Sequence, residues 1–228
     1  MTARGQHLSD AWYLDQASGT LSLGERIFME SHIELSDEGA KKLADFEAIG
    51  AQILEDIEIE NASDQTLGFD ADDIFARDLD IAEVTTRPED HTDPAPHDKQ
   101  DRYFPIALSN FVNENKLAIR WRFLGPKLKK CLLWKDKDGT KLWMLKAEAG
   151  AAIPSHSHRG YELTLVLKGS FHDQANRFER GHVQEADDDT EHEISIDEGS
   201  ECVCLALTQA PLAFSNPLIR ALQLFTGI

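Results

Sequence analysis

The stretch from Gly150 to Gly169 constrains this chain more than any other part of it, because His156, His158 and Glu162 stand in it at strand spacing. In an extended strand successive side chains point to opposite faces, so His156 and His158 share a face and can offer two imidazole nitrogens to one ion. The Glu162 carboxylate, four residues on, supplies a third corner. Leu163, Leu165 and Leu167 occupy the face opposite Glu162, so neither face of that strand meets solvent and another layer must cover the outer one. Residues 105–112 are a candidate for that cover. Around this stretch, short alternating runs at 118–123, 129–134, 141–146, 162–168 and 201–207 are punctuated by Gly125-Pro126, Asp138-Gly139, Gly169 and Gly181. Period-two runs with turns every eight to twelve residues or so predict an antiparallel sandwich or barrel.

The first half reads differently. Ser9 can cap a short helix over 10–17, which Ser18-Gly19 ends by tolerating positive φ. Ser22 opens a second helix to about residue 35. Ser36, followed by Asp37 and Glu38, opens a third to about residue 59, since a hydroxyl cap and carboxylates suit the positive end of a helix dipole. On that helix Leu43, Phe46, Ile49, Gly50, Ile53 and Ile57 form one apolar stripe along an acidic rod, and the stripe needs a partner surface. Another short helical pattern covers 72–82. Residues 84–101 are rich in proline and charge, leave nothing to bury, and read as a linker.

The chain therefore reads as α+β and multidomain: a small N-terminal helical domain over 1–83, the linker over 84–101, and an antiparallel β domain over 102–228. Charge divides at the same place. Residues 1–100 carry 7 Lys and Arg against 24 Asp and Glu, whereas residues 101–228 carry 16 against 17. A field of that sign repels phosphate backbones, so direct nucleic-acid binding by the first half is not expected; a basic protein partner fits it, as does simple solubility. The chain shows neither an 18-residue apolar run nor the basic start and apolar core of a signal peptide, which predicts a soluble, cytoplasmic protein with no membrane association. Cys131, Cys202 and Cys204 are too few for a disulfide framework. Cys202 and Cys204 share a strand face at a separation unsuited to an unstrained mutual disulfide, and read as small buried residues or as a redox pair.

Residues 150–169 resemble the first cupin motif, G-x5-H-x-H-x3-E-x6-G, at every fixed position. Gly181 and His192 stand at the spacing of the second motif, so the resemblance supplies a third imidazole. The proline and second glycine of that motif are Asp187 and Asp189 here, and its terminal asparagine is Ile196, which alters the turn before His192. The resemblance implies a jelly-roll barrel holding one divalent metal through His156, His158, Glu162 and His192. Zinc is the first expectation by resemblance, while iron, manganese, nickel or copper suit the same donors. His172 and His182 lie outside the pattern and read as surface residues.

The whole chain is similar to the ChrR-type cupin anti-sigma factors, through His7, His32, the 17–21 stretch, the 163–169 strand and Ala210-Pro-Leu212. That resemblance implies a helical domain that sequesters an extracytoplasmic-function sigma factor, and a cupin domain that responds to oxidative signals such as singlet oxygen, in a transcriptional regulator rather than an enzyme. The family's helical domain holds a zinc through an early histidine and H-x3-C-x2-C. Here His7 and His32 remain, but the thiolate positions are Ser36 and Gly39, so no zinc is expected there. A three-helix unit without that staple has to lean on the barrel, on a second copy of itself, or on its partner. The alternative expectation is a metal-dependent cupin enzyme such as a dioxygenase.

Overall fold

The computed structural model describes residues 8–56, 103–211 and 213–214. The expected helix over 72–82, the expected linker over 84–101, and His7 lie outside the described residues. Among the described residues there are four helices, α1 (Asp10–Ser18), α2 (Leu23–Leu35), α3 (Asp37–Asp56) and α4 (Ile106–Glu114). Eleven strands follow: β1 (Arg122–Gly125), β2 (Leu128–Lys135), β3 (Lys141–Ala147), β4 (Ala152–Ser157), β5 (Glu162–Lys168), β6 (Ser170–His172), β7 (Arg177–Glu179), β8 (Val183–Ala186), β9 (Glu191–Ile196), β10 (Cys202–Thr208) and β11 (Ala213–Phe214).

All strand pairs are antiparallel and form two sheets, one in the order β1-β2-β3-β10-β5-β8 and the other β11-β4-β9-β6-β7. This is the expected jelly-roll sandwich. Between the sheets lies one core, with Trp143, Val166, Phe171 and Ile194 among its members. The outer face of the six-stranded sheet carries a second core, in which Leu163, Leu165 and Leu167 join Phe28 and Met29 of α2 and Leu108 of α4. The molecule is thus layered as helices, sheet, sheet. Residues 105–112 do contribute the cover expected of them, as the helix α4, and α2 shares the task.

Local chemistry accounts for the helix ends. Gly19 closes α1 at φ 70°, the left-handed conformation that a missing Cβ permits. The Ser22 backbone N–H donates to the Glu25 carboxylate at 2.8 Å, holding the first turn of α2. The Ser36 hydroxyl accepts from the Gly39 N–H at 3.0 Å and starts α3. Ser9 departs from its expected role: the boundary is right, but its hydroxyl makes no cap bond to α1. Its N–H and hydroxyl instead donate to the Glu185 carboxylate on β8, at 2.7 and 2.9 Å. Glu34 of α2 performs a similar service across elements, accepting from the Ile106 N–H at 2.6 Å and so placing a negative charge at the positive end of α4.

Candidate metal centre

The pairing of β4 with β9 sets His156 directly across from His192, and His158 follows at the end of β4. The register makes the site. The Nε2 of His192 lies 3.0 Å from that of His156 and 3.1 Å from that of His158. All three histidines are buried, and their ligand atoms fall within 4.8 Å of one another. Tetrahedral coordination at metal–nitrogen distances of about 2.0–2.1 Å places neighbouring nitrogens about 3.3 Å apart, so the spacing is that of a coordination shell.

Glu162 approaches from the other sheet. Its Oε2 is 3.4 Å from His158 Nδ1, and its Oε1 accepts from the Thr164 hydroxyl at 3.2 Å. Three of the four expected ligands therefore converge, and the fourth stands against the far nitrogen of one of them. A carboxylate there orients the imidazole and raises its basicity.

Protonation favours a cation as well. Burial pushes the His156 and His192 imidazoles below their ordinary value, His192 to about 4, so both are neutral at pH 7 and present lone pairs. Burial alone would raise the Glu162 carboxyl, but the three imidazoles, His158 foremost, outweigh it and hold the group well below the usual range. His156 Nδ1 lies 2.9 Å from the Pro154 carbonyl, an acceptor, so this nitrogen carries the proton and Nε2 presents its lone pair to the cluster. His192 Nδ1 is buried with no hydrogen-bond partner, and His158 Nδ1 and Glu162 Oε2 face only each other, across 3.4 Å. Buried polar atoms of this kind are costly unless something satisfies them, and three imidazoles beside a carboxylate fit a divalent ion. Three buried histidines can thus hold a metal in this domain.

Residues 113–211 match the family model described as the ChrR cupin-like domain. Over their full lengths, the chain is 33% identical to the anti-sigma-E factor ChrR of Cereibacter sphaeroides, across 230 aligned residues. The chain belongs to the ChrR family. A crystal structure of Rhodobacter sphaeroides SigE in complex with the anti-sigma ChrR matches 90% of this chain and 98% of that one, at 31% identity and a TM-score of 0.64.

Within this ChrR-family chain, His32 of the family's helical zinc motif makes two hydrogen bonds. The Nδ1 of His32 lies 3.2 Å from the Gly181 carbonyl and its Nε2 lies 2.9 Å from the Tyr13 hydroxyl. A carbonyl only accepts, so Nδ1–H donates, Nε2 accepts and Tyr13 donates. A Cβ added at Gly39 would fall 2.9 Å from His32 Nε2, so position 39 faces the imidazole, and glycine leaves that space to the hydrogen bonds.

Cys202 and Cys204 are both buried on β10, with thiols 3.6 Å apart. The neighbouring Cys202 thiol, followed by burial, pushes the Cys204 thiol well up, which keeps it protonated at neutral pH. His172 is half exposed and bonds Asp197 at 2.9 Å, as a surface histidine should.

The sequence reading missed Tyr161. It lies inside the first motif, one residue before Glu162, yet its hydroxyl donates to Glu25 of α2 at 2.7 Å and its ring meets Trp12 of α1 edge-on at 5.1 Å. An aromatic residue beside an expected ligand was the available signal, but nothing local says that helices lie over it.

Proposed function

We propose that this chain sequesters an extracytoplasmic-function sigma factor in the cytoplasm through its acidic helical part, residues 1–83. Residues 84–101 join that part to a cupin unit, residues 102–228, which bears the metal and responds to oxidative signals such as singlet oxygen. The observation that carries this reading is the split apolar stripe of α3. Leu43 and Phe46 pack against the core, whereas Ile49, Ile53 and Leu54 are 56, 57 and 72% exposed. An acidic helix that spends half of its apolar stripe on its own fold and offers the rest to solvent has the form of a docking element for a basic partner. The full-length likeness to an anti-sigma factor, including one bound to SigE, supports the same reading over a dioxygenase.

In this proposal His156, His158 and His192 hold the ion, Glu162 turns from His158 Nδ1 to become the fourth ligand, and zinc is the first candidate ahead of iron, manganese or nickel. A bound cation would tie β4, β5 and β9 together, and a redox-active one could react with oxidants. The chain's own route from that site to the helices is short. Glu162 is bonded in sequence to Tyr161, which holds Glu25 and Trp12, so movement of the carboxylate shifts the anchor of α1 and α2.

Co-purification of the full chain with basic extracytoplasmic-function sigma factors, at low and high salt, tests the partner. One should be retained at low salt and loosened as salt rises, because screening weakens charge-driven association. Retention of none at low salt would defeat the anti-sigma reading. Elemental analysis should find one equivalent of metal in the purified chain and none in His156→Ala; equal content in both would remove the metal from this site.

A further inference from the structure

Side chains fill the space between the two sheets only in part. A cavity of about 400 Å³ runs there, lined by His156, Glu162 and Thr164 at one end and by Leu128, Ala147 and Cys202 at the other. The β10 register shows how far apart those ends are. Thr208 pairs with Glu162, while Cys202 pairs with Ala147, six residues along the same strand and thus roughly 20 Å away. Between them the walls are almost wholly apolar, with Trp143, Leu145, Phe171 and Ile194.

Protein cores are packed as tightly as organic crystals, so a void of this size in a small barrel is not ordinary slack. Its volume falls within the range of about 300–1,000 Å³ in which small-molecule sites lie. Water would fill it poorly, since apolar walls offer few partners. His156, Glu162 and Thr164 stand together at one end, beside His158 and His192, while at the other end Lys127 donates its ammonium to the Ala149 carbonyl at 3.2 Å.

We infer that the barrel binds an unbranched aliphatic monocarboxylate, with its chain along the apolar cavity and its head at the histidine cluster. This rests on the metal reading above and adds the ligand class to it. Three neutral imidazoles and one carboxylate around a divalent ion leave one net positive charge, which a single anionic oxygen head neutralises. The length and narrow apolar lining select an extended chain over a compact ring or a polar acid. Occupancy of the cavity touches Glu162 directly, and Glu162 adjoins the Tyr161 anchor of the helices, so the ligand has a path to the regulatory half.

The test is calorimetric titration of zinc-loaded full chain with acetate, hexanoate, decanoate and hexadecanoate, with decanol as the uncharged control. A cobalt-loaded sample is followed in parallel by visible absorption. Decanoate should bind once per chain, at least tenfold more tightly than acetate or decanol, and should change the cobalt spectrum. In Ala147→Phe, which shortens the cavity away from the cluster, the preferred acid should become a shorter one. If chain length has no effect on affinity, or if decanol matches decanoate, the proposal is overturned. A lack of decanoate binding by protein shown to carry one metal also overturns it while leaving the metal reading intact. Absence of metal from the purified chain defeats that earlier reading and is seen before any acid is added. If Ala147→Phe does not fold, the length series on the unaltered chain decides the matter.

Discussion

His32 of α2 donates through Nδ1 to the carbonyl of Gly181, in the turn before β8, across 3.2 Å and 149 positions of sequence. The bond ties the helical layer to the barrel in a chain whose family resemblance would have given that histidine a metal. Removing the imidazole strands the Tyr13 hydroxyl and opens a hole beneath α2. His32→Ala should cost about 1–3 kcal/mol for the unsatisfied partners alone. Urea unfolding followed by tryptophan fluorescence measures it, and an unchanged midpoint would show that the contact carries no stability.

Gly24 of α2 lies flat against the Trp134 ring, where an added Cβ would overlap the ring carbons. Gly24→Ala should therefore lift α2 from the sheet despite its better helix propensity, with overpacking costing about 1–3 kcal/mol. Limited proteolysis should cut the variant's helical part faster than that of the unaltered chain. Equal rates would mean the helix adjusts without separating.

The Tyr13 hydroxyl is pushed up to about 12, by burial first and then by Glu38, Asp10 and Glu185. Tyr161 is raised too, by burial and then by its bond to Glu25. Both groups hold their protons more tightly folded than unfolded, so their contribution is complete below about pH 10, the ordinary tyrosine value, and fades as pH rises through the folded one. Stability should fall above that pH, and it should fall less steeply in Tyr13→Phe. Thermal melts between neutral and strongly alkaline pH provide the comparison.

Removing the metal should also be felt as lost stability, because an ion that binds only the folded barrel adds about 4 kcal/mol when present at a thousand times its dissociation constant. Calorimetric melts with and without chelator should separate by several degrees for the full chain and coincide for His192→Ala. Identical melts of the full chain under both conditions would contradict a stabilising ion.

Ile53 is exposed on α3, so Ile53→Asp should leave the melting temperature within a degree or two while weakening sigma-factor retention tenfold or more. Retention at full strength would move the docking surface elsewhere.

What could be read from the chain was whatever depends on neighbours in sequence. Ser22, Ser36 and Gly19 mark helix ends because caps and left-handed turns are settled within a few residues. The alternation around Glu162 predicted a strand buried on both faces, and β5 spans those residues. His156 and His158 could be paired from the period of a strand alone. His192 could be joined to them only through the family motif, since only the β4–β9 register places it across from His156. The same limit applies to Ser9, Tyr161, His32 and Gly24. Each looks like a cap, a strand residue, a former ligand or a helix-interior glycine, and each instead meets a residue more than a hundred positions away. Capping, turns and periodicity are local energies and are written in the sequence. Which face of which sheet the helices cover, and whether the barrel closes around side chains or around a cavity, depends on how distant surfaces fit together, and only the folded chain decides that.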